Sequence, residues 1–304
     1  MNTIYGVLGG DKRNIKLAQL LANENDLVYT YGLEKADELK EIKDLKICDT
    51  FEEMLSNTNC IIGPIPFSKD NTNVNMPYCK NNLTIQGCIS KINEISRINE
   101  IQKAEGIKST RKKLMVGQIS DKAIQETNSN CEIIDLMKNE ELTIFNTIAT
   151  AEGTIQVIME NTEKILQGMK VLILGFGRVA KVLARKLEGL QMKITCAARK
   201  DSDLAWIETY GYSSQNIYKL EDVISKYDVI INTVPSIVIT ENELKKVQKE
   251  VLMIDLASYP GGIDFEQAKL KDVKAILASG LPGKVAPESS AIFIKRAIEN
   301  ILSK

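Results

Sequence analysis

The chain is 304 residues long and contains no histidine. That excludes Ser-His-Asp and Cys-His nucleophile pairs, imidazole metal sites and a histidine proton shuttle, leaving proton transfer to Lys, Asp, Glu, Tyr, Cys, a cofactor or water. The length calls for two domains, and 39 basic against 40 acidic residues, a net charge of −1, give nucleic-acid binding no support.

Short apolar runs alternate with amphipathic segments along the chain, the pattern of βα units and parallel sheets. The first series opens on a strand at 4–8 (IYGVL), a Gly9-Gly10 turn, and a helix carrying Ile15, Leu17, Ala18, Leu20 and Leu21. Strands are predicted near 27–31, 46–48, 60–62, 114–116 and 132–134. The polar, turn-rich stretch from Ser68 to Asn82 reads as a surface loop of the kind that serves as a lid. The six cysteines, Cys48, Cys60, Cys79, Cys88, Cys131 and Cys196, form no C-x-x-C pair and are expected as buried, reduced thiols of a cytoplasmic protein. No apolar stretch has the length of a membrane span or a secretory core.

From Thr147 to Leu166 the pattern predicts one long helix, with an apolar stripe at Ile148, Ile155, Ile158, Met159 and Ile165 and Gly168 as its C-terminal cap. It connects the first series to the second, so the boundaries fall at 1–146, 147–168 and 169–284, with a final segment at 285–304.

The second series carries the sharp motif. A strand at 171–174 leads directly into Gly175-Phe176-Gly177-Arg178-Val179-Ala180, and a helix follows. This is G-x-G-x-x-A in the flanking context a dinucleotide site requires: Gly175 for the tight turn, Gly177 for close approach of a pyrophosphate, Ala180 for close helix packing. The N–H groups at the helix start supply the anion site. The next strand, at 192–198, ends in Ala198-Arg199-Lys200, where an NAD enzyme would carry a ribose-binding carboxylate. Two cations there favour a 2′-phosphate, hence NADP(H), with Arg178 as a further clamp. Arginine is scarce in this chain, 7 of the 39 basic residues, yet Arg178, Arg185 and Arg199 fall close together. Further strands at 228–232, 251–255 and 274–277 each run into a Pro/Gly loop: Thr233-Val234-Pro235-Ser236, the loop of Ser258 to Gly262, and Ser279 to Ser290. Three such loops on one carboxyl edge are expected to line a cleft. A last helix, 289–302, is expected to pack back at the domain junction.

The segments VLGGDKR, FNTIATAEGT, LILGFGR, INTVPS, IDLASYPGGIDF and GLPGKVAPESSA together resemble the A subunits of dipicolinate synthase, end to end and in motif order. One departure is Ala149, where that family's pattern has Pro, which bears on where the long helix starts. The resemblance implies an α/β fold of two doubly wound domains: a flavodoxin-like substrate domain at 1–146 and a Rossmann NADP-binding domain at 169–284, in the formate/glycerate dehydrogenase-like layout. It implies a cytoplasmic oxidoreductase of the sporulating mother cell. With a flavoprotein-like B subunit, such an enzyme converts 4-hydroxy-tetrahydrodipicolinate or dihydrodipicolinate, from the lysine pathway, to pyridine-2,6-dicarboxylate; a homodimer is a candidate assembly.

A substrate with two carboxylates needs cations or N–H donors. Arg13 and Lys284 are the cationic candidates, while Asn146, Thr147, Ser258, Ser289 and Ser290 are the neutral ones. Lys284, Glu152 and Glu288 are the candidates for moving a proton, and Thr233, Val234 and Pro235 join Gly175 to Val179, Arg199 and Lys200 in the cofactor set; no metal site is expected. Two alternatives are a D-2-hydroxyacid dehydrogenase and a non-catalytic NADP-binding partner of the flavoprotein. Against the first, the stretches where that family carries its Arg and His read ASYPGG and APESSA.

Overall fold

The computed structural model describes residues 3–24, 27–104, 111–126, 131–258 and 260–303, and the chain divides into two compact units, 1–145 with 286–304 and 146–285. The first unit contains β1 (Tyr5–Leu8), α1 (Lys12–Asn23), β2 (Val28–Tyr31), β3 (Leu45–Ile47), α2 (Phe51–Asn57), β4 (Cys60–Ile62), α3 (Ile85–Ala104), β5 (Lys112–Val116), α4 (Asp121–Gln125) and β6 (Cys131–Asp135). The unit boundary falls inside α5 (Glu140–Asn161). The second unit continues with β7 (Lys170–Leu174), α6 (Arg178–Gly189), β8 (Lys193–Ala198), α7 (Asp201–Thr209), β9 (Ser213–Asn216), β10 (Val229–Asn232), α8 (Glu241–Leu244), β11 (Leu252–Asp255), α9 (Phe265–Leu270), β12 (Lys274–Leu277) and α10 (Leu281–Val285). The closing helix α11 (Pro287–Leu302) belongs to the first unit, where it packs on α1 and carries Ala291, Ile294, Ala297 and Ile298 into the core.

Each unit is built on a parallel six-stranded sheet, in the orders β3-β2-β1-β4-β5-β6 and β12-β11-β10-β7-β8-β9. The central strands are covered on both faces and read as unbroken apolar runs, such as Val229–Asn232 and Leu252–Asp255, every residue of them buried. Both orders are those of a dinucleotide-binding fold, with the direction of winding reversing between β1 and β4 in one and between β7 and β10 in the other.

Three local readings need correction. The long helix starts seven residues earlier than read, at Glu140. There Asn139 accepts the Leu142 N–H and two glutamates occupy the positive first turn. It ends at Asn161, so Gly168 is a left-handed turn residue before β7 and not its cap. Ala149 lies buried in the helix interior, where a proline would cost a backbone hydrogen bond.

The segment Leu281–Val285, read as part of a loop, forms the short helix α10. Strand β9, with the polar sequence SSQN, has no apolar signal and goes unread. The stretch 68–82 is a surface loop as read, anchored by buried Val74, Asn75 and Cys79, and the Asn75 carbonyl accepts the Gly10 N–H at 2.9 Å.

Candidate functional site

The carboxyl edge of the second sheet is organised around the winding reversal between β7 and β10. Gly175 has a φ of +94°, and a Cβ there would lie 2.5 Å from Thr233 Oγ1 and 3.0 Å from Val234 Cγ2. Both facts require glycine, and they bring the first glycine of the motif against the 233–235 loop. Gly177 is the N-cap of α6, contributes no side-chain cap, and has nothing within 4 Å of where a Cβ would stand. With no side-chain cap and open space beside Gly177, the start of this 12-residue helix at a sheet reversal has the form a pyrophosphate cradle needs. Ala180 is fully buried against the strand. Thr233 donates its Oγ1–H to the Leu174 carbonyl at 2.7 Å, locking β7 to the end of β10.

Arg199 and Lys200 emerge exposed at the carboxyl end of β8 and make no ion pair among the described residues. Lys200 stands at the N-cap of α7 without a capping side chain. The strand itself ends in Ala197-Ala198 and offers no carboxylate to a ribose diol.

Beneath the edge lies a buried polar network that pattern reading missed. Asp255, the fully buried last residue of β11, accepts hydrogen bonds from Asn232 Nδ2 (2.7 Å), Ala257 N (3.0 Å), Gly262 N (2.7 Å) and Ile263 N (3.2 Å). Asn232, fully buried at the end of β10, also donates to the Val234 carbonyl (2.9 Å) and accepts the Val234 N–H (3.1 Å). One carboxylate therefore folds the 256–263 loop back onto the strand ends and, through Asn232, fixes the cofactor-side loop at Val234. A Cβ on Gly262 would stand 2.3 Å from Asn232 Nδ2, so the network demands that glycine. The signal was a polar residue closing each of two apolar strands; the pairing depends on β10–β11 register, which places Asn232 beside Asp255.

The remaining candidates of the second unit scatter. Ser258 is exposed in the 256–263 loop, and its neighbour Tyr259 lies outside the described residues. Lys284 is exposed on α10, which follows β12 at the same carboxyl edge. Gly153 of α5 makes room for that helix, since a Cβ would lie 3.0 Å from Leu281 Cβ. Asn146 lies on the same stripe of α5 as Gly153, two turns earlier, and its Oδ1 is buried without a partner. Thr147 is buried beside it. Glu152 is not at the edge: it pairs at 2.8 Å with Lys186, in the last turn of α6 and at the opposite end from the anion site. Proton transfer is the wrong role for so exposed a surface pair, and its role is to tie α5 to α6.

In the first unit the Gly9-Gly10 turn does not form a second cradle. Asp11 caps α1, accepting the Arg13 N–H at 3.0 Å, and holds the Arg13 guanidinium through Nε at 2.9 Å and Nη2 at 2.8 Å. Arg13 also donates to the Ile65 carbonyl and is buried. Burial pushes the Asp11 carboxyl up, but the Arg13 contacts outweigh it and hold the group below its ordinary value. A guanidinium neutralised in this way is not a free carboxylate clamp, which corrects the expectation for Arg13. Met76 and Asn14 fill the space a Cβ would take at Gly9 and Gly10. On α11, Glu288 and Ser289 are exposed in the first turn, while Ser290 is buried and follows the helix hydrogen bonding to Ala286 O.

Comparison with known proteins matches this layout. Residues 5–98 fit the N-terminal domain of the dipicolinate synthase A subunit, and residues 146–260 fit the NAD-binding domain of D-isomer-specific 2-hydroxyacid dehydrogenases. The dipicolinate synthase A subunit of Bacillus subtilis (strain 168) is 27% identical over 301 residues, covering 98% of this chain and 94% of the relative. The crystal structure of its counterpart from Bacillus halodurans superposes with a TM-score of 0.83 at 26% identity, over 99% of this chain and 98% of the other. The chain is similar to dipicolinate synthase A subunits from end to end. The crystal structure of the Bacillus subtilis member shares the fold at a TM-score of 0.82 and 24% identity, over 100% of this chain and 97% of the other. The second unit is a dinucleotide-binding domain of the dehydrogenase type, and no described helix is long and apolar enough to cross a membrane.

Proposed function

We propose that the chain is the NADP-linked component of a dipicolinate synthase. It acts in the cytoplasm of a sporulating mother cell with a flavoprotein-like B subunit. Together they oxidise 4-hydroxy-tetrahydrodipicolinate, after loss of water, or dihydrodipicolinate, to pyridine-2,6-dicarboxylate. The observation that carries the reading is the open, uncapped start of α6 at the β7/β10 reversal, set against a β8 end that offers Arg199 and Lys200 in place of a carboxylate.

The residues fit the group. Gly175 to Val179 hold the pyrophosphate on N–H donors, Thr233 to Pro235 line the other side, and Arg199 with Lys200 take the 2′-phosphate. When bound, the oxidised nicotinamide supplies a hydride acceptor, and aromatisation supplies the driving force. Oxidation of the dihydro ring removes one hydride and one proton; with no histidine in the chain, the proton goes to Lys284, Glu288 or water. Lys284 and Ser258, both exposed on the carboxyl edge of the second unit, are the proposed carboxylate contacts there, with Asn146 and Thr147 on α5 as neutral donors.

The D-2-hydroxyacid dehydrogenase reading shares the second domain, but the acid/base histidine of that chemistry has no counterpart here. The reading is tested with the purified chain, the purified flavoprotein-like partner and their mixture, following the pyridine chromophore. Product in the mixture that requires NADP+ is the expected result. Product at an unchanged rate without NADP+ would leave the chain a non-catalytic partner.

A further inference from the structure

We propose that the groove along α6 of the second unit, which adjoins the cofactor cradle through Phe176, is a second binding site, for a planar aromatic carboxylate. Its walls are Phe176, Tyr210 and Tyr212, and Lys181, Arg185 and Glu188 line it along α6, enclosing about 270 Å³. Tyr210 meets Phe176 edge-on at 5.9 Å and lies nearly parallel to Tyr212, 12° between the planes at 6.5 Å. Lys181 stands over the Phe176 ring at 5.4 Å.

The charges are unbalanced in favour of an anion. Lys181 and Arg185 make no ion pair among the described residues, whereas the one acid present, Glu188, already accepts the Tyr212 hydroxyl at 3.2 Å. Burial, then the Glu188 carboxylate, pushes the Tyr212 phenol up to about 12, so it stays a donor to Glu188. Aromatic faces with free cations at their rim select a flat ring carrying carboxylates. The volume lies below the roughly 300–1,000 Å³ of pockets for drug-sized ligands, which limits the occupant to about one ring.

The choice of pyridine-2,6-dicarboxylate as the natural occupant rests on the reaction proposed above, and makes the groove a site where product acts back on the chain that forms it.

Trp206 reports on the groove: it is the one tryptophan of the chain, and its ring lies 6.0 Å from Tyr210. The isolated full-length chain is titrated with pyridine-2,6-dicarboxylate, benzene-1,3-dicarboxylate and the non-aromatic heptanedioate, following Trp206 fluorescence. Saturable quenching by both aromatic dicarboxylates is expected. It weakens about tenfold in Arg185→Ala, the loss of one charge-assisted contact, weakens also in Lys181→Ala, and is unchanged in Arg199→Ala. Both groove side chains are exposed on α6, so these variants retain the fold. Absence of quenching, equal quenching in Arg185→Ala, or equal quenching by heptanedioate would overturn the site. Benzene-1,3-dicarboxylate is no product of the proposed reaction, so its binding reads the groove whether or not turnover is found. Failure of the titration leaves the turnover experiment standing.

Discussion

The exposed Arg199 guanidinium at the end of β8 makes no ion pair among the described residues, so in the proposed NADP site its removal reads directly on cofactor choice. Arg199→Ala is expected to weaken NADPH binding by about 1.5–3 kcal/mol, roughly tenfold or more, while NADH affinity stays unchanged. Calorimetric titration of both cofactors checks this, and equal losses for the two would remove the 2′-phosphate role. Gly175→Ala places a side chain at a φ of +94° and 2.5 Å from Thr233 Oγ1. It is expected to abolish measurable binding of either cofactor. Asp255→Ala leaves four buried donors without their acceptor and should cost the second unit about 3 kcal/mol or more, read as a lower urea midpoint. Of these three positions only Gly175 and Arg199 declared themselves in the sequence, since a glycine turn after a strand and a cation at the next strand's end are local patterns. Asp255 did not, because its partners arrive from a neighbouring strand and from a loop seven and eight residues on. Arg13 misled for the same reason: its charge is cancelled by an N-cap carboxylate two residues earlier, and only the helix geometry brings the pair together.

Elements were legible where hydrophobic pattern and local turn chemistry agree. The central strands of both sheets come within one or two residues of where their apolar runs lie, because strands covered on both faces have few polar positions to blur them. Edge strand β9 has no such run, and α5 carries apolar residues beyond both of its ends, so its limits follow from Asn139 and from the Asn161 carbonyl held by Lys274 at 3.1 Å. Strand order is a tertiary property, which no apolar run declares. At the start of β5, Lys112 is buried and donates to the carbonyls of Leu55 and Thr58 (2.6 Å to Thr58) at the end of α2, the negative end of that helix. Lys112→Met is expected to lower the stability of the first unit by about 1–3 kcal/mol, the range for leaving buried acceptors unsatisfied. Equilibrium unfolding followed by hydrogen exchange at α2 checks it.

At the scale of the whole molecule, buried titrating groups set the alkaline limit. Burial pushes Lys112 down to about 8 from 10.5, so between those values the unfolded chain binds more protons and this group adds stability as pH rises. Burial pushes the thiols of Cys60 and Cys196 up to about 12 and, despite the nearby Lys112, that of Cys131 to about 11, all from 9.0. Above pH 9 the unfolded chain sheds these protons first, and stability falls. Thermal melts should therefore show a rise from pH 8 to 9 that disappears in Lys112→Met, followed by a decline in both proteins.

In the proposed reaction a chain without one histidine leaves hydride removal to the bound dinucleotide, so the stoichiometry of NADPH to product is decisive. The most direct measurement is an anaerobic single turnover of the mixed subunits with NADP+, recording NADPH and the pyridine chromophore together. One NADPH per dipicolinate, with the yield lost in Gly175→Ala, is the predicted result. Full product without NADPH formation would contradict a dehydrogenase role for this chain.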